Sequence, residues 1–177
     1  MPADHPSPST PYLRPARSRD RDAIIALIDD VLSEYGDRLS PDVADRDLLD
    51  IDGYYIVAGG MFIVLEDTGR IRGTHAVLPV PAQPGVCVFR RLYLDAALRG
   101  GPWGSRLMQW TLDWARAQGM HRVEFWSDTR FARAHRFFAR FGFQRDGRIR
   151  TIDDGWIPYQ EYFYFLDAPF PDVAEFR

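Results

Sequence analysis

The stretch Phe89–Phe143 decides how this chain folds. FRRLYLD (89–95) is an apolar strand pattern, LRGGPWGS (98–105) a glycine-rich turn, and RLMQWTLDWARAQG (106–119) a strongly amphipathic helix. HRVEFWSD (121–128) is a second strand, and a second helix ends at Arg140-Phe141-Gly142-Phe143. A glycine-rich turn that opens a helix directly after a strand builds an anion site. Its free backbone N–H groups and the helix dipole converge on one point, which suits a phosphate or pyrophosphate. The P-loop needs Gly-Lys-Ser/Thr behind its glycines, and none is present. Gly100, Gly101 and Gly104 do not have the G-x-G-x-x-G spacing of the dinucleotide fingerprint either.

The spacing that fits is Arg/Gln-x-x-Gly-x-Gly/Ala, read as Arg99-Gly100-Gly101-Pro102-Trp103-Gly104. It resembles the acetyl-CoA pyrophosphate loop of the GCN5-related N-acetyltransferase (GNAT) superfamily. A second block, Ala134-His135-Arg136-Phe137-Phe138-Ala139-Arg140-Phe141-Gly142-Phe143, is similar to that family's A-x-x-F-Y-x-x-x-G-F helix and turn. The upstream order agrees: Tyr12–Pro15 as a first strand, a helix, then Gly59-Gly60-Met61-Phe62-Ile63-Val64 leading a strand pair. The resemblance spans residues 12–166. It implies an α/β fold: a mixed, mostly antiparallel sheet of six to seven strands, about four helices, and central strands that splay apart. Residues 1–11 and 167–177 are read as tails.

Composition bounds the rest. A chain of 177 residues with 46% hydrophobic and 14% aromatic content is one domain with a real core. The net charge of −3 implies no general affinity for nucleic acid. All 22 basic residues are arginine, which is read as compositional bias. The single Cys87 excludes a disulfide framework and reads as a small buried apolar residue. No apolar run approaches the roughly 20 residues of a membrane span, so no membrane partner is expected. MPADHPSPSTP lacks the basic start and apolar stretch of a signal peptide and reads as disordered. A cytoplasmic location is the expectation.

Along the chain, Arg19–Tyr35 is helical by period, with Ile24, Leu27, Ile28, Val31, Leu32 and Tyr35 on one face. Ser18 or Asp20 is expected to cap it, and Gly36 to end it. A shorter helix is predicted over Ser40–Leu49 with Pro41 at its start, and turn and loop over Asp52–Gly60. Met61–Glu66 and Ile71–Leu78 pair as a hairpin across Asp67-Thr68-Gly69-Arg70. After the proline loop Pro79–Gly85 comes the central strand Val86–Leu94. The helix Pro102–Gln118 is expected to bury Trp103, Leu107, Trp110, Thr111 and Trp114. Val123–Ser127 is a strand and Arg130–Phe141 a helix whose apolar arc is Phe131, Ala134, Phe137, Phe138 and Phe141. Arg133, Arg136 and Arg140 share another arc, read as a solvated face, with help to a CoA phosphate as the alternative. Phe143–Ile152 and Tyr159–Leu166 close a hairpin around Asp153-Asp154-Gly155-Trp156.

Acetyl transfer to an amine requires a held cofactor, a deprotonated amine, a stabilised oxyanion and a departing thiolate. The resemblance implies that Leu92, Tyr93 and Leu94 offer backbone groups to the pantetheine arm. Behind Arg99, it implies that Gly100, Gly101, Trp103, Gly104 and Ser105 offer N–H groups to the pyrophosphate, with Phe131 and Phe138 also set against acetyl-CoA. Pro102 stands where the family usually has glycine and has no N–H to give, so CoA binding is expected to be somewhat weaker. Phe138 stands at the family's usual tyrosine, Phe131 at a frequent asparagine, and Val88 where some members carry an acid. A missing general acid typically slows a reaction by about 10²–10⁴. A free thiol titrates near ~8.5, so its thiolate departs without one, more slowly.

Glu124 resembles the strand carboxylate that some members use to drain the amine proton; Glu161 is the rival base or a binder of the acceptor amine. Asp128 is expected as a helix N-cap. His75, His121 and His135 show no metal spacing. The acceptor is expected to be the amine of a small molecule or an amino-acid-like compound. The pocket-forming segments offer it Tyr35, Asp37, Asp52, Tyr54, Tyr55, Asp153, Asp154, Trp156, Tyr159 and Glu161. A CoA-binding sensor or partner-binding domain without turnover is the rival reading, and a homodimer is left open.

Overall fold

The computed structural model describes residues 10–154 and 156–172. The expectation for residues 1–9, the turn residue Gly155 and residues 173–177 lies outside the described residues.

Seven strands form one sheet: β1 (Tyr12–Pro15), β2 (Met61–Asp67), β3 (Arg70–Pro79), β4 (Val86–Leu94), β5 (Arg122–Asp128), β6 (Gln144–Ile152) and β7 (Tyr159–Asp167), in the order β1-β2-β3-β4-β5-β7-β6. Among the described residues three α-helices cover it, α1 (Arg21–Ser33), α2 (Trp103–Ala117) and α3 (Ala132–Arg140), together with a π-helical turn over Asp52–Ile56. Among the described residues no helix is long and apolar enough to cross a membrane.

Alternation along the strands makes two cores, one on each face of the sheet. On one face Ile24, Ile28 and Leu32 of α1 pack on Phe62, Val64 and Ala76. On the other, Met108 and Leu112 of α2, Phe138 of α3 and Phe141 just after it pack on Val77, Cys87, Phe89, Val123 and Phe125. Each such side chain contributes about 1.5–3 kcal/mol when fully buried, so this packing fixes strand register. Cys87 is buried, and burial pushes its thiol up to about 12.

The pairing of β4 with β5 positions the site. It is the sheet's parallel contact and holds for three registered pairs, Val86 with Arg122, Cys87 with Val123 and Val88 with Glu124. Beyond them Phe89–Leu94 stay with β3 and Phe125–Asp128 with β7, so the two strands part and leave a gap.

Several sequence expectations need correction. Ser40–Leu49 is not one helix but a turn followed by a single 3-10 turn at Arg46–Leu48. The N–H groups of Val43, Ala44 and Asp45 all converge on the Ser40 carbonyl, and the Asp45 and Asp47 side chains are drawn to Arg91. Asp52–Gly60 is not plain loop: its π-helical turn buries Tyr55 completely. Neither Ser18 nor Asp20 caps α1. Asp20 reaches back to the Arg17 N–H and to Arg14, while Ser18 donates to Asp52. On α2 the buried stripe is Leu107, Met108, Thr111, Leu112 and Ala115. The three tryptophans lie on its flanks, half-buried, with Trp103 stacked under Arg106 and lining a shallow groove with Trp110 and Tyr12. Asp128 is not the α3 cap. Phe131 holds that position, and Asp128 accepts from the Arg130 N–H two residues on.

Candidate functional site

The gap between β4 and β5 opens into a continuous cleft of about 1320 Å³. That exceeds the roughly 300–1,000 Å³ of a pocket for one drug-sized ligand, so there is room for a large cofactor and a second molecule. Of the residues singled out in the sequence, Leu92, Tyr93, Leu94, Arg99, Gly100, Gly101, Gly104, Ser105, Phe131, Phe138 and Glu161 line it.

One end is the glycine-rich turn. Gly100 sits at φ +83°, a conformation that favours glycine, and lets the chain swing from β4 into α2. The first bond into α2 is from the Arg106 N–H to the Pro102 carbonyl, which leaves the N–H groups of Trp103, Gly104 and Ser105 open at the helix start. Pro102 supplies the helical φ of −78° but no donor. The Trp103 ring turns away from the cleft. Arg99 is not free to hold an anion. Its guanidinium grips both carboxylate oxygens of Glu34 at 2.5 and 2.6 Å and donates to the Leu94 carbonyl at 2.9 Å, so it ties the turn to the residue after α1. Arg133, Arg136 and Arg140 of α3 line this wall, are exposed and carry no ion pair among the described residues; Arg106 at the start of α2 carries none either but lies over the Trp103 ring. An Arg133 nitrogen lies 3.8 Å from where a Cβ on Gly100 would be. The arc read as a solvated face is therefore a cleft wall.

In the middle, β4 is bent by a bulge. Thr74 pairs with Tyr93 and Ala76 with Arg90, so His75 faces two residues, Arg91 and Leu92. Arg91 holds φ +57°, which a bulky residue rarely adopts. Its surroundings over-determine it. Thr74 Oγ1 donates to the Arg91 carbonyl at 2.7 Å. The guanidinium reaches Asp45 at 2.7 Å and Asp47 at 2.5 and 3.0 Å, and the Tyr55 hydroxyl donates to Asp47 at 2.5 Å. Burial alone would push the Asp47 carboxyl up, but the Arg91 guanidinium outweighs it and holds the group below the usual carboxylate range. This network escaped the sequence reading. Its signal was there: two adjacent arginines, Arg90 and Arg91, inside an otherwise apolar strand, with Asp45-Arg46-Asp47 upstream.

The floor on the α2–α3 face is His75, Phe89, Met108, Phe125 and Phe138. Phe138 is 6% exposed, with its ring 4.7 Å from Phe125 and 5.4 Å from Tyr164. Burial pushes the His75 imidazole down to about 3, so it is neutral. Its Nδ1 lies 2.9 Å from Thr111 Oγ1 and 3.3 Å from the Leu107 carbonyl. Tyr162 and Tyr164 do not line the cleft: Tyr164 is buried against Phe125, and Tyr162 lies under Arg145. The tyrosines that line it are Tyr35, Tyr93 and Tyr159.

The far end, on the α1 face, is a chamber walled by Tyr93, Trp126, Asp154, Tyr159 and Glu161. Arg150 clamps Glu161 at 2.5 and 2.6 Å and lies 4.4 Å over the Trp126 ring. Burial raises the Tyr159 phenol, and the charges of Glu161 and Asp154 raise it further. Glu124 is not part of the chamber. It sits in the last rung beside Val88, with Arg122 Nε at 3.8 Å, and is not among the lining residues. Asp37, Asp45 and Asp128 also line the cleft, each bound to an arginine. Of the other acids and rings considered for the acceptor, Asp52, Tyr54, Tyr55, Asp153 and Trp156 stand outside its lining; Trp156 meets it only through Arg38, which does line it. Among the described residues no group of three or more His, Cys, Asp or Glu side chains is placed to hold a metal ion.

The sequence matches the Acetyltransferase (GNAT) family over residues 24–143. It is 26% identical over 143 residues to YjgM of Escherichia coli (strain K12), described as an uncharacterized N-acetyltransferase, covering 78% of this chain and 84% of that protein. The fold is similar to that of a GNAT-family acetyltransferase from Staphylococcus aureus Mu50, with a TM-score of 0.75 and 19% identity over 89% of this chain and 99% of the other. It is also similar to yncA from Salmonella typhimurium, a putative acetyltransferase solved with its cofactor acetyl-CoA (TM-score 0.69, 18% identity, 93% and 99% of the two chains). The residues matched include the glycine-rich turn and both cleft-forming strands, the bulged β4 and β5, and the chain belongs to the GNAT acetyltransferase family.

Proposed function

We propose that this protein moves the acetyl group of acetyl-CoA directly to the amine of a small-molecule or amino-acid-like acceptor. The observation that carries this reading is the continuity of the cleft. It runs from a helix start with open N–H groups and arginines that carry no ion pair among the described residues, through the β4–β5 gap, to a chamber of carboxylates and phenols. Acetyl-CoA, when bound, supplies the activated acetyl thioester. The open N–H groups of Trp103, Gly104 and Ser105, with Arg133, Arg136 and Arg140, hold its phosphates. The strand edge Leu92–Leu94, turned outward by the Arg91 bulge, holds its amide arm. Glu161 binds the acceptor ammonium and takes its proton; the Arg150 clamp keeps that carboxylate aimed.

Calorimetry with acetyl-CoA and desulfo-CoA tests the cofactor half, and absence of binding below about millimolar ends it. Thiol release over a panel of amines, amino acids and peptide N-termini tests the transfer. A second reading, a CoA-binding sensor, draws on Phe138 in place of a phenol and on Glu124 lying off the cleft. Turnover on any amine well above CoA-ester hydrolysis excludes it; tight CoA binding with a silent panel establishes it.

A further inference from the structure

The chamber at the acceptor end is bridged. Arg38, from the loop after α1, places its guanidinium 3.6 Å above the ring of Trp156, in the β6–β7 connection on the opposite lip. Arg130 makes a second tie: one of its nitrogens reaches Asp37 on that same loop and Asp128 at the end of β5, both at 2.5 Å. The two carboxylates are only 7% and 5% exposed, so parting them from Arg130 would leave charge buried without a partner. The Tyr35 and Phe131 rings, 4.7 Å apart, make a third contact between the same two sides.

Resting on the acetyl-CoA reading of the cleft, we propose that Arg38 and Trp156, held over the chamber by the Asp37–Arg130–Asp128 tie, set a size limit on the acceptor: small amines that fit beneath the bridge are taken, and an extended polypeptide is refused. The amine end of either acceptor would meet the same Glu161 and Tyr159, so amine chemistry alone cannot separate them. What separates them is the chain behind the amine. A small acceptor ends inside the chamber. A polypeptide has to leave it, and across this lip it meets the Arg38–Trp156 stack. Trp156 is 44% exposed and Arg38 is exposed too, so neither side chain is held there by core burial. Removing either opens the lip without emptying the core.

The test uses binding, so that it does not depend on turnover. CoA is joined through its sulfur and an acetyl linker either to the amine of glycine or to the N-terminal amine of trialanine, and both conjugates are titrated by calorimetry beside bare CoA. The wild type is expected to bind the glycine conjugate at least as tightly as CoA, and the trialanine conjugate about tenfold more weakly than the glycine one. Trp156→Ala should bring the two conjugates to within about threefold of each other, and Arg38→Ala should move them the same way, with unchanged melting temperatures. Equal binding of both conjugates by the wild type overturns the size limit, as does a preference that survives both variants. Failure of bare CoA to bind is a separate result that removes the cofactor reading beneath it.

Discussion

Arginine serves opposite ends of the cleft in opposite ways. From the middle of the cleft to the acceptor end, Arg91, Arg130 and Arg150 are each bound to carboxylates of the protein itself. At the glycine-rich end Arg133, Arg136 and Arg140 carry no ion pair among the described residues. The same side chain is a structural strut where its charge is neutralised within the fold, and a ligand site where it is left over. A paired guanidinium fixes geometry, because removing it strands a buried acid. An unpaired one adds little to stability and stays available for charge from outside. Arg99 shows that proximity to the anion site is not the criterion: it begins the motif, yet Glu34 has claimed it.

The largest effect should come from breaking a strut. Arg91→Ala takes the near guanidinium from Asp47, 2% exposed, leaving it only the Tyr55 hydroxyl and Arg90 at 3.7 Å, and releases the left-handed bulge, so stability should fall by roughly 3 kcal/mol in denaturant titration. A loss under about 1 kcal/mol would mean the network does not anchor the bulge. Next is the empty phenol position between the two ends. Phe138→Tyr should raise kcat, by up to about 10² if the missing acid limits thiolate departure, with CoA affinity little changed. The ring is closely packed, so a phenol that finds no partner would cost about 1–3 kcal/mol, and melting must be followed alongside. Unchanged turnover in a folded, CoA-binding variant would show that no acid is needed at Phe138, or that Tyr93 or Tyr159 already supplies it.

At the ligand end, Arg133→Ala, Arg136→Ala and Arg140→Ala should each weaken CoA binding, the most important by about tenfold, with stability within about 0.5 kcal/mol of wild type. Comparing CoA with its 3′-dephosphorylated form should reveal which arginine meets which phosphate. If all three variants bind like wild type, the contrast between the ends fails. The smallest effect concerns the floor. His75 titrates far lower folded than the ~6.5 of an unfolded chain, so the unfolded state binds the extra proton between these values. Its contribution is therefore present above about pH 6.5 and lost as pH falls below it, by about 1 kcal/mol between pH 6 and 5. His75→Gln should flatten that limb of a stability–pH curve.

What could be read in the sequence was what local rules govern. The turn from Arg99 to Gly104, the alternation in β2, β3 and β4, the two-residue hairpin at Thr68-Gly69 and the Ala134–Phe143 helix all depend on residues close in the chain. The misreadings fall where distant partners decide. Ser40–Leu49 has a fair helical composition, but Asp45 and Asp47 answer to Arg91, more than forty positions on. Helical spacing puts the tryptophans of α2 on one stripe with Leu107 and Thr111, but smaller Met108, Leu112 and Ala115 fit the close approach to the sheet and the large rings remain on its flanks. Glu124 and Glu161 were equal candidates on paper. Strand register separates them, since one falls in the last closed rung and the other beyond the parting.

The three-rung seam between β4 and β5 also says how the molecule could be taken apart. Every strand before the seam in space comes before it in the chain, and every strand after it comes later, so the sheet is divided as the sequence is. A cut at the turn around Gly119, which follows α2 and precedes β5, would yield two pieces with intact ladders of their own, β1 to β4 with α1 and α2, and β5 to β7 with α3. Helix packing across the α2–α3 core, rather than strand pairing, would have to rejoin them. Two such fragments expressed together should reassemble, and more readily with CoA present, because a ligand lying in the seam touches both and acts as the thread that stitches them.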